Sequence, residues 1–130
     1  MNIESPKTTV NKSPDEVFNF LKDVKNFGVI MPENTDKFEY LGEDKFLFSL
    51  KGMPEIGMQL KEAIPNDTII VGSPDNKFPF KLIIKIDKKD DSSSEVQFNF
   101  EGDFNPMMAM MIKGPITNFI NALSGNMSKI

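Results

Sequence analysis

The sequence predicts an α+β fold in which about seven antiparallel strands carry a long C-terminal helix on one face. Three observations support this. The hydrophobic period is two from Lys37 to Phe104 and becomes helical from Asn105 onward. The turn clusters between successive strands are too short for a crossover, so neighbouring strands must run antiparallel. Each strand alternates an apolar with a mostly polar face, as a sheet covered on one side does.

Ile3 to Val10 reads as the first strand, with Pro6 marking an edge or a bulge. Ser13-Pro14-Asp15-Glu16 opens a helix, because serine can cap, proline suits the first turn and Glu16 completes a capping box. Val17, Phe18, Leu21 and Val24 follow at helical spacing, and a second short helix near Asn26 to Met31 is stopped by Pro32. Six strands come next, centred on Phe38-Tyr40, Phe46-Leu50, Ile56-Leu60, Thr68-Gly72, Phe80-Ile86 and Val96-Phe100. The clusters GED, GMPE, PND, SPDNKFP and KKDDSSS separate them. Asn105 caps the last helix and Pro106 takes its first position. Its apolar stripe runs through Met108, Ile112, Pro115, Ile116, Phe119, Ile120 and Leu123 and is about 120° wide, enough to lie across a sheet.

With 130 residues the chain is expected to form one domain over 1–130. All fifteen basic residues are lysines and the net charge is −4, which leaves no arginine fork or basic stripe for nucleic acid. There is no Cys and no His, so thiolate nucleophiles, histidine relays and ordinary zinc sites are excluded. Asp87 to Asp91 lacks the ligand spacing of a calcium loop and reads as a solvated turn. No dinucleotide or P-loop motif is present, so no cofactor is expected. The N-terminus is too polar for a signal peptide and no run is long enough to span a membrane, which makes a cytoplasmic location the expectation. Asn66-Asp67-Thr68 is read as a chance sequon in an Asn-rich chain.

The order of strand, two helices, six strands and long helix resembles the helix-grip fold of the START-like (SRPBCC) superfamily. That superfamily includes birch-pollen-allergen-like proteins and polyketide cyclases, and the length suits its small bacterial-type members. Ser13 to Leu21 (SPDEVFNFL), the Met31-Pro32 stop and the sheet followed by one closing helix carry the resemblance over the whole chain. The resemblance implies a curved sheet wrapped around the last helix with a hydrophobic cavity between them. It implies no single activity, since members include lipid carriers as well as cyclases.

Methionine sharpens the expectation of a cavity. Residues 107–111 read MMAMM, so four methionines occupy five positions. Met108 and Met111 sit on or beside the core stripe, while Met107 and Met110 lie off it. Three readings stand for that second pair: a neighbouring element packs on it, it forms a pocket mouth, or it makes a homodimer contact. Methionine is flexible and polarizable and suits a pocket wall that adapts to its contents. Gly114-Pro115 predicts a kink or restart, which either tilts the Met-rich end off the sheet or follows the curve of the sheet. The expected pocket residues are Phe46, Phe48, Leu50, Met58, Phe98, Phe100, Met108, Met111, Ile112 and Phe119, from the inward phases of strands and helix. Tyr40 either offers its phenol to a ligand or packs its ring and wets its hydroxyl. Glu62 falls in the inward phase of Ile56, Met58, Leu60 and Ile64 and is the one candidate catalytic carboxylate, unless the strand bulges and leaves it wet. The expected function is binding or carriage of a small hydrophobic, lipid- or polyketide-like molecule. The alternatives are a cyclase or dehydratase using a cavity carboxylate, and a dimerising protein without ligand.

Overall fold

A computed structural model describes residues 1–74 and 80–130. Among these residues the strands are β1 (Asn2–Glu4), β2 (Thr8–Val10), β3 (Thr35–Gly42), β4 (Lys45–Leu50), β5 (Ile56–Ile64), β6 (Thr68–Gly72), β7 (Phe80–Asp90) and β8 (Ser93–Gly102). The helices are α1 (Pro14–Lys22), α2 (Phe27–Ile30) and α3 (Pro106–Asn126), with 3₁₀ turns at Val24–Asn26 and Met127–Lys129. Strands β3 to β8 form an antiparallel meander, and β1 and β2 both return to pair with β8. The sheet is curved and grips α3.

β1 and β2 are the two halves of the expected first strand. Pro6 has no N–H for the ladder, and Ser5 bridges the gap. The Ser5 N–H donates to the Phe98 carbonyl at 2.8 Å, and the Phe98 N–H donates to Ser5 Oγ at 3.0 Å. At the start of α1 the Ser13 N–H donates to Glu16 Oε1 at 3.4 Å, and the Ser13 hydroxyl faces Asp15 Oδ1 at 2.6 Å. Val17, Phe18 and Leu21 are buried, and α1 packs over β6, β7 and β8. Phe27 and Ile30 are the buried side chains of α2, which ends as expected before Pro32.

One expectation for the strands is corrected and one is left open. Asp87 to Asp90 is strand, not turn, because the β7 backbone stays paired with β8 through Asp87↔Glu95, Lys88↔Ser94 and Asp90↔Ser93. The side chains of this segment are exposed all the same. The Ser73–Pro79 connection read as a turn cluster lies mostly outside the described residues, since 75–79 are not described.

The last helix is capped as the sequence indicates, with Asn105 Oδ1 accepting from the Met108 N–H at 2.8 Å. It runs unbroken through Pro115, so the expected restart does not occur. One proline removes one ladder bond, that to the Met111 carbonyl, and the flanking bonds carry the helix across. What changes at Pro115 is burial. Ile116, Phe119, Ile120, Leu123 and Ser124 are buried, and no residue of α3 before them is. Side-chain bonds hold the same end. Ser124 Oγ lies 2.5 Å from Thr8 Oγ1 and donates to the Pro6 carbonyl at 3.1 Å, and Asn126 Nδ2 donates to the Ile30 carbonyl at 3.0 Å. The helix is therefore docked by its second half, and the first half projects past the core.

Candidate functional site

Where α3 stops docking, a cavity of about 630 Å³ opens between its first half and the sheet. Three groups of residues enclose it. From α3 come Met108, Ile112, Ile116 and Phe119. From β4, β5 and the connection between them come Phe48, Met53, Ile56 and Met58. From β7, β8 and the segment leading into α3 come Phe80, Phe100 and Phe104. Among the described lining residues Glu55 is the only ionisable one, and Ser73 is the only other with a polar side chain.

Aromatic stacking organises the walls. Phe48 and Phe119 stack at 5.0 Å and 7°, joining sheet to helix. Phe100 stacks on Phe80 at 5.6 Å and on Phe104 at 6.3 Å, the second pair only 6° from parallel. Phe104 fits there because Gly102 has no side chain. A Cβ on Gly102 would lie 2.2 Å from Phe104 Cε2, well inside any real contact. At the rim Lys37 Nζ is 3.7 Å from Glu55 Oε2 and 3.6 Å from Glu39 Oε2, so one lysine serves two carboxylates.

Of the expected pocket residues, Phe48, Met58, Phe100, Met108, Ile112 and Phe119 line this cavity. Phe46, Leu50 and Phe98 do not; they are buried in the core. Phe46 has lost its free side to Phe27 of α2, stacked on it at 5.2 Å, and to Phe38 at 5.3 Å. Phe98 lies in the middle of β8, which both α1 and α3 cover. Met111 is 72% exposed, because an edge position of the stripe is buried only where the helix docks. Tyr40 is at the edge strand, away from the cavity, with Lys25 Nζ 5.5 Å from its ring centroid. Glu62 is exposed and also away from the cavity. Between Leu60 and Glu62 the pairing with β6 shifts by a bulge at Lys61, which turns Ala63 instead toward the core.

The methionines beside the stripe are not covered by a neighbouring element. Met107 and Met110 are 76% and 83% exposed and, with Met111, form one apolar face at i, i+3 and i+4, next in sequence to the cavity-lining Met108. Sequence reasoning missed Ile56, Phe80, Phe104, Ile116 and Glu55 as lining residues. Ile56, Phe80 and Ile116 carried a signal, being in the inward phases of their elements. Phe104 and Glu55 sit in connections and carried none. No group of three or more Asp or Glu able to hold a metal ion occurs among the described residues. No described helix is long and apolar enough to cross a membrane.

No protein-family model matches the sequence, and no curated protein aligns with it. Solved structures do match in fold. A norcoclaurine synthase variant of Thalictrum, in complex with a transition-state analogue, superposes with a TM-score of 0.73 at 13% identity over 99% of this chain and 92% of its own. A conserved protein of Geobacillus kaustophilus gives 0.70 at 16% identity over 99% and 93%. A protein of Thermobifida fusca gives 0.69 at 15% identity over 98% and 93%. Such identities speak for fold and not for activity. Strand order, the gripped C-terminal helix and these superpositions agree: the chain has a helix-grip fold.

Proposed function

We propose that residues 1–130, as one domain, bind a small hydrophobic molecule between the sheet and the first half of α3. The observation that carries the reading is the cavity of about 630 Å³ with a nearly all-apolar lining. Its size falls within the ~300–1,000 Å³ of ordinary ligand pockets. Kept dry and empty, a space of that size would cost ~15 kcal/mol at ~24 cal/mol per Å³, as much as a whole domain's stability. A ligand, disordered water or inward collapse of flexible side chains must relieve that cost. Met53 and Met58 on the sheet wall and Met108 on the helix wall suit an adaptable lining.

The lining supports binding better than catalysis. Glu62, the carboxylate singled out in the sequence, is exposed and lies off the cavity. Glu55 is shared with Lys37 at the wet rim. Native mass spectrometry of freshly purified protein tests the proposal. The expected result is a co-purified small molecule, or uptake of an added neutral apolar probe such as N-phenyl-1-naphthylamine in a one-to-one complex. Protein that carries nothing, takes up no apolar probe and shows no ligand-dependent shift in melting temperature would overturn it.

One observation favours the dimeric alternative, the exposed face of Met107, Met110 and Met111. Three side chains fall short of the ~800 Å² per partner of a stable interface, so contact through this face alone would be weak. Sedimentation over a range of concentrations decides it.

A further inference from the structure

We propose that the ligand is a planar aromatic molecule bearing a positively charged amine, its rings among the cavity phenylalanines and its ammonium at the Glu55 carboxylate. This rests on the reading that the cavity binds a small apolar molecule and narrows that molecule's class.

Charge sets the first half of the class. The chain has no Arg and no His, and no lysine is among the described lining residues, so a buried ligand carboxylate or phosphate would meet no cation from them. It would meet Glu55 instead. Lys37 divides its single charge between Glu39 at 3.6 Å and Glu55 at 3.7 Å, which leaves these three side chains one positive charge short. A ligand ammonium supplies the missing cation and gives Glu55 a partner of its own. Because the Glu55 side chain is 53% exposed, the pair stays partly wet, so it selects and orients the ligand more than it holds it.

Shape sets the second half. Five phenylalanines line the space in two stacked groups, Phe48 with Phe119 and Phe100 with Phe80 and Phe104. Each is already fixed in a near-parallel stack with another of the five, at interplanar angles between 6° and 21°. Rings immobilised in this way present flat surfaces that a rigid planar ligand can extend at little ordering cost, whereas a flexible acyl chain must give up its torsional freedom. The electron-rich ring faces also favour a nearby cation.

Calorimetry at low salt with five probes tests the proposal: 2-(2-naphthyl)ethylamine, 2-(2-naphthyl)ethanol, 2-naphthylacetate, decylamine and decanoate. The naphthyl amine should bind tightest, about fivefold over the alcohol, the upper end for an ion pair that stays wet on one side. Naphthylacetate should be the weakest of the three ring probes, and decylamine should bind more weakly than the naphthyl amine. Glu55→Gln should abolish the advantage of the amine over the alcohol. Raising salt from about 20 mM to about 500 mM should do the same in the unaltered protein, whatever the variant's folding. Alcohol binding with no amine preference, a preference that survives both the substitution and the salt, or tightest binding of decanoate or decylamine would overturn the inference and leave the apolar cavity reading in place. If none of the five binds, both fall together.

Discussion

The Phe48 and Phe119 rings lie 5.0 Å apart and 7° from parallel, so a single stack joins β4 to the docked half of α3. Both rings also line the cavity, and both are at least 97% buried. The floor of the candidate site is therefore part of the core that holds the helix on the sheet.

Truncating that floor should be expensive. Phe119→Ala is expected to lower the unfolding free energy by ~3–5 kcal/mol, the usual cost of deleting a buried phenyl ring. Urea denaturation followed by far-ultraviolet circular dichroism measures it. A loss under ~1 kcal/mol would show that the helix is held without the stack.

Gly102 is required by a ring rather than by the backbone. Gly102→Ala places a methyl group in hard overlap with Phe104 Cε2, so the ring must leave its stack on Phe100. The expected cost is ~1–3 kcal/mol, with altered probe binding in the cavity. In Phe104→Ala the same glycine substitution should be nearly neutral, and the difference is read in a double-mutant cycle. Additive effects would mean that the clash is not the cause.

Adjacent positions on α3 should behave oppositely. Ile112→Trp points a large side chain into the cavity and should weaken binding of the naphthyl probes at least tenfold, while Met111→Trp, on the 72% exposed face, should leave binding intact and change stability by under ~0.5 kcal/mol. As the chain has no Trp, the emission wavelength of each variant reports burial independently. Glu62→Gln should leave affinity within about threefold, under ~0.7 kcal/mol. Loss of binding in Met111→Trp or Glu62→Gln would mean that the site lies elsewhere.

The start of α1 gives a pH dependence with a definite sign. The Ser13 hydroxyl hydrogen bond holds the Asp15 carboxyl below its usual 3.8. A carboxyl with a lowered folded-state pKa favours folding above its ordinary value, and that contribution disappears as pH falls through the lowered value. Ser13→Ala should therefore raise the Asp15 pKa, as seen by carbon-detected NMR titration. The stability gap between the two proteins should be larger at neutral pH than near pH 2. An unchanged Asp15 titration would remove Ser13 as the cause.

Much of the fold was legible because each element announces itself locally. Phe46-Leu50 and Phe80-Ile86 alternate at period two, and Ser13-Pro14 and Asn105-Pro106 mark helix starts whatever surrounds them. The irregularity at Pro6 was legible for the same reason, since proline cannot donate to a ladder in any context, although the division into two strands was not. Six of the expected pocket residues line the cavity because strand phase and helical stripe determine which side chains face inward. Phase failed at Glu62, where one extra residue at Lys61 inverted the alternation, and a bulge leaves little trace in a short polar segment.

By itself, the sequence determined the order of elements, their antiparallel pairing, the capped ends of the helices and the apolar side of each element. Local propensity and periodicity act over a few residues, so a few residues suffice to read them. Only the tertiary structure decided how much of α3 docks, which inward side chains meet core and which meet empty space, and that Phe104 and Glu55 join the lining from connecting segments. Phe46 and Phe48 show the difference: they are two residues apart on one strand and share one face, yet Phe46 is capped by Phe27 while Phe48 opens onto the cavity. Burial against a distant neighbour depends on how whole elements sit on one another, and that geometry is set by the sum of all their contacts rather than by any local stretch of chain.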